Sequence, residues 1–176
     1  MANTFFAADH HFHHKNILTF KTNEGAPLRV FDDVDHMNEY MVMQHNRVVR
    51  PEDKVYFLGD VTMSRNAKGL EIIGRMNGTK ILIKGNHDLC TAKQYMDYFD
   101  DIRAVHQLDG IIFSHIPIHE ESLSRWSLNV HGHLHSNVVR RANGHIDPRY
   151  VCVSMEHLDD YRPVSLEELR KRMPKA

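Results

Sequence analysis

Histidine, aspartate and asparagine side chains are grouped at five points along this sequence, each group directly after an apolar run. The chain contains 15 histidines, more than a stable core requires. The five groups are Asp9 with His11, Gly59 with Asp60, Gly85-Asn86-His87-Asp88, His115, and His133 with His135. Carboxylate, amide oxygen and imidazole are ligands of Mn, Fe, Co, Ni and Zn. The sequence therefore predicts a transition-metal site.

A ligand set of this kind suits a pair of ions. One carboxylate can bridge two ions about 3.5–4 Å apart, and such a pair clamps both sides of an in-line displacement at phosphorus. Gly59, Gly85 and Gly132 stand beside ligands, where a missing side chain lets the backbone turn sharply without obstructing the site. A single Gly-Asp after a strand is usually an ordinary turn. Five groups in this arrangement favour a functional site over five turns.

The elements that must position these groups are strands. Apolar runs bounded by Gly, Asn or Asp predict them over residues 4–8, 55–58, 80–83, 110–113, 128–130 and 150–155, with an edge strand around 102–108. The carboxyl ends of strands in an open α/β sheet meet at one crevice, where such folds bind ligands. We therefore expect the five groups to converge.

Helical patterns lie between the strands. The spacing of apolar residues predicts a helix over 33–49 and shorter helices over 66–76 and 91–98. Thr91 with Gln94 forms a capping box, and Ser165 with Glu168 forms another that begins a last helix ending near Pro174. Residues 138–145 predict a polar hairpin turn. Strands that alternate with helices in the first half and dominate the second predict an α/β fold, as a single domain over residues 1–176.

Charge and composition exclude several classes of protein. Lys and Arg number 22 against 23 Asp and Glu, a net charge of −1, so no basic field grips a long nucleic acid and no stable complex of that kind is expected. No apolar run approaches the roughly 18–20 residues of a membrane span. Two cysteines and a start without a basic leader predict a cytoplasmic protein with no membrane partner.

The five groups resemble the motifs of the calcineurin-like metallophosphoesterase superfamily, over residues 4 to about 156. Residues 11–17 resemble a small subgroup of bacterial and phage phosphoesterases, which usually has Gly in place of His13. The resemblance implies a four-layered α/β/β/α sandwich that holds two divalent transition-metal ions. Mn is favoured, with Fe, Ni, Co and Zn as alternatives.

The resemblance also implies a role for each group. The first ion would be held by Asp9, His11 and His135. The second would be held by Asn86, His115 and His133, with Asp60 bridging the two. His87 would lie near the leaving group, oriented by Asp88.

Departures from the motifs exclude closer relatives. Protein Ser/Thr phosphatases have Val-Asp-Arg-Gly after Gly-Asp and Glu at the position of Asp88, whereas Asp60 is followed by Val61 and Thr62. The metallo-β-lactamase pattern needs Asp then His at residues 135 and 136, and a strand before His87 argues against a helical HD hydrolase. The side chain of His13 is a substrate contact, an adventitious ligand or simply exposed, and exposure is favoured because His is commonly a surface residue.

The function that follows is hydrolysis of phosphodiester bonds, in small nucleotide-like substrates, by a hydroxide between the ions. Protonation of the leaving oxygen by His87 would contribute about 10²–10⁴-fold. The alternatives are a phosphomonoesterase with the same metal site and a non-catalytic metal-binding scaffold, which would not need His87 and Asp88. Candidate phosphate contacts on the flanking loops, each equally readable as a solvated or structural residue, are His14, Asn16, Arg29 and Arg65.

Overall fold

The computed structural model describes residues 2–173 and shows nine strands in that range. In chain order they are β1 (Thr4–Ala7), β2 (Lys54–Phe57), β3 (Thr79–Ile83), β4 (Asp101–Arg103), β5 (His106–Leu108), β6 (Ile111–Ser114), β7 (Leu128–His131), β8 (Tyr150–Cys152) and β9 (Val164–Ser165).

The strands form two mixed sheets. The first has the order β4-β3-β2-β1-β9, with β1 to β4 parallel and β9 antiparallel to β1. The second has the order β5-β6-β7-β8, with β6 to β8 parallel and β5 antiparallel to β6. The carboxyl ends of parallel neighbours lie at one edge of each sheet, which is where the predicted ligand groups follow.

Three α-helices and several 3-10 helices connect the strands within the described range. The α-helices are α1 (Val34–Val48), α2 (Ala92–Tyr95) and α3 (Leu166–Lys171). Asp33 caps α1 by accepting the N–H of His36, and both predicted capping boxes are present, at Thr91 and at Ser165. Pro174, the predicted end of the last helix, lies outside the described residues.

The core is divided by the sheets because successive strand side chains point to opposite faces. In β1, Phe5 and Ala7 pack with the apolar face of α1, whereas Phe6 faces the second sheet. The ring of Phe6 stacks on that of Phe113 with centroids 4.2 Å apart. A smaller cluster that includes Leu123 covers the other face of the second sheet. The result is a mixed α/β fold of two sheets flanked by helices.

Four predicted elements differ from the structure. The edge strand over 102–108 is two strands, β4 and β5, because the chain crosses from one sheet to the other between Arg103 and His106. The helix over 66–76 is a 3-10 helix, Ala67–Arg75, and the helix over 91–98 ends at Tyr95. The strand over 150–155 ends at Cys152, beyond which Ser154 pairs in a bridge with Ala8 of the other sheet.

The predicted hairpin is confirmed. An antiparallel bridge between Arg140 and Ile146 closes the polar hairpin. Cys90 and Cys152 are buried free thiols. Within residues 2–173, no helix combines the length and the apolar character needed to cross a membrane.

Candidate metal centre

The predicted ligands converge as two groups of side chains. Ligand atoms of Asp9, His11 and His135 lie within 4.8 Å of one another, and so do ligand atoms of Asp60, His115 and His133. We call these the first and second ligand groups. The sites are buried at their base, where both carboxylates lie, and open at His133, which is exposed.

Asp60 lies between the two groups. Its Oδ2 atom is 3.4 Å from Nε2 of His115 in its own group and 3.7 Å from Nε2 of His11 in the first group. A carboxylate in this position can reach a cation in either group. This is the placement that the resemblance to metallophosphoesterases implies for a bridging ligand.

Asn86, the remaining predicted ligand, belongs with the second group. Its Oδ1 atom lies 2.8 Å from Nε2 of His115. The opposite ring nitrogen of His115, Nδ1, donates to the carbonyl of Leu58 at 2.8 Å. In the neutral imidazole, Nε2 therefore carries a lone pair, and this lone pair faces the acceptor Oδ1 of Asn86. Two acceptors at this distance need a proton or a metal ion between them.

Several ligand atoms are buried without a partner. Within the described residues, Oδ1 of Asp9 and both ring nitrogens of His11 are buried and make no hydrogen bond. An unsatisfied buried polar group costs about 1–3 kcal/mol, and more when it is charged. A divalent cation in the first group would satisfy Oδ1 of Asp9 and one ring nitrogen of His11 together, so the residues present fit a metal ion.

The backbone is strained at the ligands. Five of the seven have a positive φ in the left-handed region: Asp9 (58°), His11 (50°), Asp60 (54°), His133 (69°) and His135 (49°). This conformation is uncommon outside glycine, and held strain of this kind costs about 1–3 kcal/mol per residue and collects at functional sites. Its concentration at the predicted ligands is typical of a functional site.

Glycines leave room for the ligands, as the sequence predicts. A Cβ atom on Gly85 would lie 2.3 Å from Oδ1 of Asp60, and one on Gly132 would lie 2.5 Å from Oδ2 of Asp9. One on Gly59 would lie 2.5 Å from the His115 ring. None of these positions accepts a side chain without moving a predicted ligand.

The charge of Asp60 favours a bound proton on His115 when no metal is present. Burial lowers the pKa of His115, but the hydrogen bond and charge of Asp60 raise it to about 9. Burial raises the pKa of Asp60, and His115 lowers it below its ordinary value. Metal binding would have to displace such protons, which makes metal affinity depend on pH.

Arg29 is not placed to contact a substrate, contrary to the prediction. It is buried, and its guanidinium donates to the carbonyls of Asp9 (2.5 Å) and His10 (2.8 Å) and to Oε1 of Glu156 (2.8 Å). These bonds hold the backbone that carries the first ligand group. Arg29 therefore positions the site from behind.

Glu156 is a residue that sequence reasoning missed. Its Oε1 accepts the Nδ1–H of His135 at 3.1 Å, which turns Nε2 of that ring toward the first ligand group. Burial raises the pKa of Glu156, but the charge of Arg29 and the bond from His135 lower it to about 2. Glu156 directly follows the predicted strand 150–155, the same placement as the five groups, and that signal could have identified it.

Asp88 has a different role from the predicted one. Its carboxylate accepts the backbone N–H groups of Gly85 (2.8 Å), Asp60 (2.9 Å) and Val61 (3.0 Å). Among the described hydrogen bonds it makes none to the imidazole of His87. Asp88 thus locks two ligand-bearing loops together and does not orient that ring.

His87 lies at the mouth of the site. Its side chain is exposed, its ring packs edge-to-face on that of His11 at 5.6 Å, and its backbone N–H donates to Oδ1 of Asp60 at 2.8 Å. The backbone of His87 is therefore anchored on Asp60 of the second ligand group, and its ring lies beside His11 of the first. A proton donor at this point can reach a group bound between them.

The remaining predicted substrate contacts differ in how close they lie to the ligand groups. His14 is half-buried, with its ring 5.6 Å from that of His11, whereas Asn16 and Arg65 are exposed and no described hydrogen bond joins their side chains to the ligand groups. His13 is exposed, as favoured, and both its backbone N–H and its Nδ1 atom lie 3.2 Å from the amide of Asn38.

Comparisons with known proteins give a family without an assigned activity. No family model matches the chain. The uncharacterized protein MJ1445 of Methanocaldococcus jannaschii is 32% identical over 182 residues, covering 100% of this chain and 94% of the relative. The Gene 66 protein of Mycobacterium phage L5 is 24% identical over 192 residues, covering 89% of this chain and 87% of the relative. The chain belongs to the family of MJ1445.

A solved structure shares the fold. The crystal structure of AQ665, a protein of unknown function from Aquifex aeolicus, superposes with a TM-score of 0.68 and is 28% identical. The match covers 97% of this chain and 99% of that one. The mixed α/β architecture is thus shared with this protein from Aquifex aeolicus.

Proposed function

We propose that this chain is a binuclear-metal-dependent phosphodiesterase of the calcineurin-like metallophosphoesterase superfamily, with the four-layered α/β/β/α sandwich of that superfamily. One observation carries the proposal: Oδ2 of Asp60 lies between His11 (3.7 Å) and His115 (3.4 Å), one from each ligand group. A pair of transition-metal ions is commonly bridged by one carboxylate, and Asp60 is placed to bridge an ion in the first ligand group and an ion in the second. Two buried, unpaired cysteines support a reducing compartment, the cytoplasm.

The first ligand group would hold one ion, and the second group with Asn86 would hold the other. Two such ions, Mn²⁺ foremost, supply charge that neutralises phosphoryl oxygens and lowers the pKa of water. The strained backbone of Asp9 and His11 supports this assignment because it aims both side chains at one point.

His87 provides the acid of the proposed reaction. Its imidazolium would donate a proton to the ester oxygen as the bond from that oxygen to phosphorus breaks, which removes the need to expel an alkoxide. Its backbone N–H is anchored on Asp60, and its ring packs against His11 of the first ligand group. A non-catalytic metal-binding scaffold would not need a proton donor at this position.

Diesters are favoured over monoesters by the charge at the site. A monoester carries an additional negative oxygen that a basic side chain would have to meet. Arg29, the buried arginine beside the site, is bound to Glu156 and to two backbone carbonyls. Its guanidinium is therefore turned away from any substrate oxygen.

The test compares an activated aryl phosphodiester, bis(p-nitrophenyl) phosphate, with p-nitrophenyl phosphate, on metal-stripped protein resupplied with Mn²⁺. The proposal predicts metal-dependent hydrolysis with preference for the diester. Preference for the monoester would make the chain a phosphatase. Inactivity on both esters with two ions bound would favour the scaffold and overturn the proposal. The Asp60→Asn protein, purified in the same way, controls for contaminating esterases.

A further inference from the structure

A groove opens beside the metal centre, on the side of His133 and His135. One wall is the segment that carries these two histidines, and the other is the loop from Phe20 to Leu28, closed on itself by a bridge between Lys21 and Pro27. The groove has a volume of about 420 Å³. Because predicted metal ligands form its inner wall, a group attached to a phosphate at the metal centre would extend into it.

The walls of the groove carry hydrogen-bonding groups and little charge. Lys21 contributes the one ammonium, and no carboxylate lines the groove within the described residues. Amide and hydroxyl side chains lie beside apolar ones, and in the described part of the chain Oγ1 of Thr22 is buried without a hydrogen-bond partner. Such a lining suits an uncharged, flat group with polar edges, joined to an anion at the histidine end.

The aromatic ring of Phe20 stands at this groove. It is 47% exposed and packs edge-to-face on His14 at 5.6 Å, while His14 in turn contacts His11 of the first ligand group. A large apolar ring left half in water is available for contact with a ligand. Nucleobases stack on aromatic side chains of this kind.

A second groove, of about 500 Å³, lies on the side of His13 and is less suitable. Three carboxylates line it, those of Asp35, Glu39 and Glu71, and they would repel an anionic substrate. Its two cationic side chains are those of Lys68 and Arg75, and Arg75 is already paired with Glu39 at 2.6 Å. The charges therefore direct a phosphoester toward the groove at Phe20.

We propose that the groove between Phe20 and Asn137 is a nucleoside-binding subsite in which Phe20 stacks on the base of a nucleotide whose phosphate lies at the metal centre. This rests on the proposed function and names the substrate class of that site. It assigns the 20–28 loop to substrate selection, with Thr22 and Lys21 at the polar edge of the ligand. The Nδ2 atom of Asn23 donates to Oδ1 of Asn137 at 2.7 Å, which ties the two walls together.

Binding of two probes tests the subsite by calorimetry on Mn²⁺-supplied protein: adenosine 5′-monophosphate and ribose 5-phosphate, which lacks the base. We expect the nucleotide to bind about 5- to 150-fold more tightly, from the free energy of one base stacked on an aromatic ring. Phe20→Ala should lose this advantage and leave ribose 5-phosphate unaffected, whereas Phe20→Trp should keep it. Met96→Ala, which removes another exposed apolar side chain, is the matched control.

The outcomes separate the two proposals. Equal affinity for the two probes, or a base advantage that survives Phe20→Ala, would overturn the subsite. If the protein still hydrolyses the aryl diester in either case, the phosphodiesterase proposal stands without it. Failure to bind either probe, together with inactivity on the aryl esters, would overturn both.

Discussion

Oε1 of Glu156 accepts a hydrogen bond from Nδ1 of His135 at 3.1 Å and is also 2.8 Å from Nε of Arg29. One buried carboxylate oxygen thus joins a predicted metal ligand to the guanidinium that holds the carbonyls of Asp9 and His10. Histidine ligands commonly donate their second ring N–H to such a partner, which fixes the tautomer and the ring orientation. Glu156 therefore controls the first ligand group without belonging to it.

Glu156→Gln should weaken metal binding at the first group. The amide oxygen can still accept one bond, but the charge that favours His135 as a donor is lost, and partners of this kind are worth about 10–100-fold in metal affinity. Calorimetric titration of metal-free protein with Mn²⁺ measures the change. Glu121→Gln, which alters an exposed carboxylate, should bind as the wild type does. Equal Mn²⁺ affinities for the wild type and the two variants would show that Glu156 does not contribute to metal binding.

Asp60→Asn should lose at least one ion. A bridging ligand needs charge on both carboxylate oxygens, and an amide presents one neutral oxygen. The metal-to-protein ratio after loading with Mn²⁺ and desalting, measured by elemental analysis, should fall from two ions per chain to one or fewer. Asp32→Asn, at an exposed carboxylate, keeps the full ratio. Full occupancy in Asp60→Asn would contradict the bridging assignment.

His87→Ala should keep both ions and lose turnover. Loss of a general acid lowers the rate by about 10²–10⁴-fold, most for an ester whose leaving group is a strong base. The rates for a phenyl and a p-nitrophenyl diester therefore diverge more in the variant than in the wild type. Asp88→Asn is the comparison variant. The Asp88 carboxylate accepts three backbone N–H groups of the ligand-bearing loops, so its loss should lower metal content as well as turnover. A His87→Ala protein with unchanged rates would exclude the acid role.

Local chemistry made much of this molecule predictable from its sequence. The capping boxes at Thr91 and Ser165 are confirmed because each depends on residues only three apart. The ligand groups could be placed because each follows its own strand, and parallel strands bring their ends to one edge. His133 and His135 follow β7 of the second sheet, and they meet Asp9 and Asp60 of the first sheet because the two sheets pack together, a contact that the sequence carries no long-range signal for.

The parts that could not be predicted depend on tertiary contacts. Arg29 and Glu156 are 127 residues apart and pair only when the fold brings them together. An arginine in a loop is ordinarily solvated, so Arg29 looked like a phosphate contact. The run over 102–108 contains no Gly or Pro to mark its crossing between sheets, and β9 has two residues, too few for a pattern.

Gly132→Ala should disturb the first ligand group. The new Cβ would lie 2.5 Å from Oδ2 of Asp9 and 2.6 Å from Cβ of Ala8, so the carboxylate or the strand must move. Overpacking of this kind costs about 1–3 kcal/mol, and we expect lower Mn²⁺ occupancy as well. Gly74→Ala is the control, because its Cβ would meet the Tyr98 ring at an ordinary 3.5 Å. Urea unfolding and metal analysis should separate the two variants, and matching behaviour would contradict the steric argument.

His45, fully buried on α1, should make the fold sensitive to mild acid. Burial lowers its pKa from 6.5 to about 4, while its Nε2–H donates to the carbonyl of Asn77 at 2.9 Å. Because the unfolded chain takes up this proton first, the free energy of unfolding decreases as pH falls from about 6.5 toward 4, by about 2 kcal/mol between pH 7 and 5. His45→Gln retains an N–H donor without the titration, so its urea midpoint in metal-free buffer should change less over that interval. His36→Gln, on an exposed part of the same helix, should keep the wild-type dependence, and an identical pH dependence in all three proteins would exclude His45 as its source.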